Sequence, residues 1–95
     1  MKLIINRDKF LVKKGIAEID LTKKEFEILW LLCSVPGKVF SRNVVFKKVW
    51  EQNSGSKIRT VDVHFVSLRK KIGHEFFKTI KGVGFKVTNA NIEIN

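Results

Sequence analysis

From Lys2 to Leu21, short apolar runs alternate with polar turns. KLIIN, KFLVKK and AEIDL are separated by Asn6-Arg7-Asp8 and Lys13-Lys14-Gly15. Runs of this length rich in Leu, Ile, Val and Phe predict short strands, and such brief connections predict an antiparallel meander. The pattern then changes period. Thr22-Lys23-Lys24-Glu25 fits the T-x-x-E capping box, with Leu21 and Phe26 set as a hydrophobic staple across it. The run Phe26, Ile28, Leu29, Trp30, Leu31, Leu32, Cys33 is apolar nearly all round, which predicts a helix in the middle of the domain, ended by Pro36-Gly37. Ser41 is placed to cap a second helix carrying Val45, Val49 and Trp50 on one side.

After the polar loop EQNSGSK, residues from about Arg59 to Ile72 place Val61, Phe65, Leu68 and Ile72 at i, i+4, i+7 and i+11. That spacing predicts a third helix with one core-facing stripe, closed by a left-handed Gly73. Its opposite side carries Arg59, Val63, Val66, Ser67 and Lys70, so two valines point away from the core among cations and a hydroxyl. FFKTIKGVGFKV predicts two strands, about Phe77–Ile80 and Phe85–Val87, joined through Lys81-Gly82-Val83-Gly84. TNANIEIN is a polar end to which the pattern assigns no element. The order of strands, two helices, a loop, a helix and a hairpin predicts an α+β fold. The arrangement this order suggests is a winged helix-turn-helix with an N-terminal antiparallel sheet (1–21), three helices (22–73) and a C-terminal hairpin wing (77–87).

Ninety-five residues, 44% of them hydrophobic, make one domain able to bury a modest core without staples. The single cysteine excludes an internal disulfide, and Cys33 inside FEILWLLC reads as a small buried hydrophobe. No run approaches a membrane span or a signal-peptide core, so a cytoplasmic location is expected. Two histidines, one cysteine and nine acids show no metal or catalytic spacing. No enzyme activity, metal or cofactor is expected. The GVG stretch lies between strands, lacks a following helix and is no nucleotide loop.

Charge alters the picture most. The formal net charge is +10, and it is unevenly spread. Residues 1–37 hold seven basic and five acidic side chains, residues 38–87 twelve and three. A basic excess centred on the third helix points to a polyanionic partner.

With these motifs in view, the chain resembles the C-terminal effector domains of OmpR/PhoB-type response regulators. The matching pieces are LTKKEFEILWLL, PGKVFSRNVVFKKVW, RTVDVHFVSLRKKI and TIKGVGFKV, in the family's order from Leu21 to Val87. The resemblance implies site-specific binding of double-stranded DNA and regulation of transcription within two-component, phosphorelay signalling. The third helix would enter the major groove and the wing tip 81–84 the minor groove. Arg59 matches a backbone or base contact, His64 a phosphate contact, and Arg42 and Trp50 backbone contacts from the second helix. In the wing, Thr79 and Phe85 match phosphate contacts, and Lys81 matches an arginine that enters the minor groove. Thr60, Arg69, Lys70 and Lys71 complete the expected DNA-binding set.

Val63 and Val66 are expected at the groove, where apolar groups meet thymine methyls, and Ser67 stands where several relatives place a base-reading arginine. Plainer roles compete. The two valines could pack on a neighbouring element, Arg69 and Asp62 could join an intradomain ion-pair network, Trp50 could be core, and Lys70 and Lys71 could be solvated cations near a helix end. Phe85 lacks the usual tyrosine hydroxyl, and Lys81 lacks the planar fork of arginine. In the family the loop before the third helix can touch RNA polymerase, which makes Gln52, Asn53, Ser54, Gly55 and Ser56 a contact candidate. The resemblance also implies a tandem homodimer on direct repeats, with a receiver domain and sensor kinase as partners if the chain is an excised domain. No receiver domain is present in these residues. A winged-helix protein-interaction module, or a non-specific nucleic-acid-binding module, is the competing function.

Overall fold

The T-x-x-E sequence at Thr22 forms the reciprocal cap it predicts. The Glu25 amide donates to the Thr22 hydroxyl at 3.2 Å and the Thr22 amide to the Glu25 carboxylate at 2.9 Å. From this cap, in the computed structural model, runs helix α1, Lys23–Ser34. The structure describes residues 2–51, 57–88 and 91–95. Ahead of α1 lie β1 (Leu3–Asn6), β2 (Leu11–Lys14) and β3 (Ala17–Glu18), paired antiparallel in sequence order as the short turns require. Leu3 and Ile5 alternate inward on β1, the period-two burial of a one-sided sheet.

Helix α2 spans Arg42–Trp50, with the Ser41 hydroxyl accepting from the Val44 amide at 3.2 Å. Helix α3 spans Arg59–Ile72 and buries the four residues of its predicted stripe. Gly73 ends it at φ +123° and ψ 136°, a positive φ but outside the left-handed helical well expected there, while its amide donates to the Arg69 carbonyl at 2.8 Å. A single tight turn, His74–Phe76, leads into β4 (Phe77–Ile80) and β5 (Gly84–Val87), the hairpin.

Two features go beyond the sequence pattern. Residues Ile92–Ile94 form β6, which pairs in parallel with β1 and extends the first sheet to the order β3-β2-β1-β6. The hairpin is also fastened at its root. Phe40 and Phe85 exchange two backbone hydrogen bonds, of 2.7 and 2.9 Å, immediately before the cap of α2. A Cβ on Gly84 would run into the Phe40 carbonyl, so only glycine lets the two backbones approach this closely.

One core joins these parts. Leu3, Ile5 and Val12 from the sheet meet Phe26, Leu29 and Leu32 of α1, the α3 stripe, and Phe77, Phe85 and Val87 of the hairpin. Among the described residues, no helix is long and apolar enough to cross a membrane.

Candidate nucleic-acid interface

Because α3 spends only one stripe on the core, its remaining circumference divides into an outer face and two flanks. The outer face carries Arg59, Val63, Val66 and Lys70, all exposed. Val63 is 69% exposed and Val66 53%, so neither packs on a neighbouring element. Exposed apolar side chains occur elsewhere in the domain, Ile16 and Phe10 among them; what sets this pair apart is that both valines share one helix face with Arg59 and Lys70.

One flank turns toward α1 and α2. The His64 ring lies 5.5 Å from the Trp50 ring, and Trp50 itself is half-buried, stacked on Phe46 at 4.8 Å with the Lys24 ammonium 5.1 Å from its ring. Thr60 lies half-buried on this side. Lys71 reaches back to the buried Glu25, Nζ to Oε1 2.7 Å, and the Ser67 hydroxyl on the same flank helps to favour the charged form of that carboxylate. Burial of Glu25 works to raise its pKa, but Lys71, Ser67 and the Thr22 amide outweigh it and leave the pKa lowered. Lys71 thus braces α3 against the cap of α1, and Ser67 lies half-buried on the same flank.

The other flank faces the wing. Arg42 from α2 bonds Asp62 at 2.8 Å, and Arg69 donates to the Thr79 hydroxyl at 2.7 Å with its guanidinium 5.5 Å from the Phe65 ring. Between α2, α3 and the wing opens a cleft of about 500 Å³, whose lining includes Ser41, Arg42, Asp62, Thr79, Lys81 and Val83. At the wing tip the Val83 amide donates to the Ile80 carbonyl at 2.9 Å, and Lys81, Gly82 and Val83 project into solvent.

Phe85 requires a correction. Its side chain is core, with its ring 4.1 Å from that of Phe65, and its amide is taken by the Phe40 carbonyl. With no hydroxyl and no free N–H, it has nothing to donate to a phosphate. Beside the named contacts, the wing carries Val83, within the expected tip 81–84, and a lysine pair, Lys78 and Lys86. Val83 is 58% exposed, and Lys78 stands directly opposite Lys86 on the hairpin. Strand alternation alone would have put the two lysines on one face. The candidate loop Gln52 to Ser56 lies outside the described residues.

Among the described residues, no group of His, Cys, Asp and Glu could hold a metal ion. Cys33 is buried, and that burial pushes its thiol up to about 12, so it is no nucleophile.

The family model described as "Transcriptional regulatory protein, C terminal" matches residues 16–87. The chain is 35% identical over 85 residues to the transcriptional regulatory protein CseB of Streptomyces coelicolor, covering 90% of this chain and 36% of that protein. It is 37% identical over 90 residues to SrrA of Staphylococcus aureus, covering 88% and 37%. The chain therefore spans little more than a third of the curated relatives it matches. Among solved structures, the DNA-binding domain of Bacillus subtilis CssR superposes with a TM-score of 0.84 at 30% identity, over 92% of this chain and 100% of that one. The Klebsiella pneumoniae RstA DNA-binding domain, solved in complex with the RstA box, gives 0.85 at 25% identity, over 93% and 92%.

Proposed function

The chain belongs to the family of C-terminal domains of transcriptional regulatory proteins, the OmpR/PhoB-type winged-helix effector domains, and from that premise we propose that it binds duplex DNA at specific sites to regulate transcription. The family is a DNA-binding regulator domain, not an enzyme. The observation that carries the reading is the outer face of α3. Two exposed valines stand between Arg59 and Lys70, on a face that the described residues leave open.

On this reading α3 lies in the major groove. Arg59 and Lys70 neutralise phosphates or reach base edges, and Val63 and Val66 meet the C5-methyl groups of thymines. Lys81 and the wing tip enter the adjacent minor groove, where a cation is drawn by the negative potential of a narrow A·T tract. His64 and Trp50 line the α2 side of the approach, and Thr60 and Thr79 offer hydroxyls to the backbone. Arg42 is held by Asp62 at the mouth of the cleft, from which it can meet a phosphate. Lys71 acts indirectly, by fixing how α3 sits on α1, with Ser67 beside it.

The domain works in the cytoplasm, where DNA is found. It forms tandem pairs on direct repeats, with RNA polymerase as a further partner and a receiver domain answering to a sensor kinase as its regulator.

Selection from a random duplex pool at near-physiological salt, followed by a salt titration of the enriched sites, tests this. The expected result is a T-rich motif repeated about one helical turn apart, with log affinity falling by about 0.9 per log unit of salt for each phosphate neutralised. Binding that falls with salt but enriches no sequence would overturn the site-specific reading.

A further inference from the structure

On the DNA-binding reading just given, we infer that Arg69 acts on DNA through Thr79. It occupies the threonine hydroxyl as an acceptor, so that the hydroxyl's own proton is presented to a backbone phosphate. Arg69 is then a positioning residue, and the group touching DNA is neutral.

Arg69 lies on the wing-facing flank of α3 and Thr79 on β4. The Arg69 Nη1 donates to Thr79 Oγ1 at 2.7 Å, and the Phe65 ring lies beneath the guanidinium. The Arg69 Nε is buried with no hydrogen-bond partner. Among the described residues no carboxylate forms an ion pair with this side chain. Arg69 is therefore pinned between helix and wing without a carboxylate partner among the described residues.

The chemistry of the pair follows from its donors and acceptors. A guanidinium has donors only, and a hydroxyl has one proton and two lone pairs. With Arg69 on a lone pair, the Thr79 proton must turn to another acceptor. Thr79 is exposed, and among the described residues no acceptor receives that proton. It lines the same cleft as Lys81, an exposed cation with no carboxylate partner among the described residues, and as the Arg42–Asp62 ion pair. A hydroxyl bonded to a cation is polarised and donates more strongly. A phosphate oxygen, an acceptor with no proton to offer, is the DNA group that fits.

The test is a double-mutant cycle on a selected duplex, with Thr79→Val, Arg69→Met and both together, read as Kd at several salt concentrations. Thermal melts of each variant check the fold. Thr79→Val is expected to weaken binding about tenfold at an unchanged salt slope, because the lost donor is uncharged. Thr79→Ser should restore binding. The double variant should fall short of the product of the single losses by about fivefold. Losses that simply multiply, or a Thr79→Val protein that binds as tightly as the parent, would overturn the inference. If Arg69→Met does not fold, Arg69→Gln takes its place in the cycle, and the same shortfall from the product of the single losses decides it. A parent protein that selects no duplex at all would instead sink the reading on which the inference rests.

Discussion

Helices α1 and α3 have similar lengths and lie in contact, yet they spend their apolar residues in opposite ways. Helix α1 buries Phe26, Ile28, Leu29, Leu32 and Cys33 and half-buries Trp30 and Leu31, so almost every apolar side chain is held by packing. Helix α3 buries one stripe of four and leaves two valines in solvent. The difference teaches that hydrophobicity in this domain answers to two demands. In α1 it holds the fold together. On the outer face of α3 it adds little to the fold, which is why that face reads as a surface for a partner.

The comparison can be broken most severely from the α1 side. Leu29 is fully buried, so Leu29→Ala should cost about 2–5 kcal/mol of stability in urea unfolding, through lost transfer energy and the cavity left behind. The enriched DNA motif of whatever protein remains folded should not change.

An intermediate effect is expected where the two helices meet. Glu25 joins its own helix cap to Lys71 and Ser67 of α3. Glu25→Gln keeps the shape and the capping geometry but loses the ion pair, at about 1–3 kcal/mol near neutral pH. The sign with pH follows from the lowered pKa of the glutamate. Its contribution is complete above the ordinary carboxylate value of 4.5 and is lost as pH falls through the lower folded value. The stability gap between parent and Glu25→Gln should therefore narrow on acidification, and a gap that widens or stays constant would refute this account of Glu25.

The smallest effect on stability, and the sharpest contrast with Leu29, belongs to the outer face. Val63→Ala and Val66→Ala should each change stability by no more than about 0.5 kcal/mol. Each should nevertheless weaken preference for thymine at one position of the selected site by about fivefold, through loss of a methyl contact. Equal losses in melting and in binding would place these valines in the fold after all.

Much of this arrangement could be read along the chain, because it is local. The capping box at Thr22, the Ser41 cap, the α3 stripe and the hairpin each depend on residues within a few positions of one another. What could not be read depends on distant partners. Strand β6 has three residues and exists because the open edge of β1 receives it, some ninety residues away in sequence. The Glu25–Lys71 bridge spans 46 positions and the Arg42–Asp62 bridge 20, and no periodicity couples them. Helical spacing puts Ser67 toward the outer face because its angle lies between face and flank. Its half-burial depends on α1 beside it. Phe85 was matched to a family contact by position, but its burial against Phe65 and its bonds to Phe40 arise from the way the wing folds back on the core.

The most direct test of the central claim is to map backbone amide shifts by NMR as a selected duplex is titrated into the domain. The account predicts the largest changes at Arg59, Val63, Val66 and Lys70 and at Lys81 to Val83, with β1, β2 and β3 little affected. Changes centred on the N-terminal sheet or on α1, with the outer face of α3 unmoved, would contradict it.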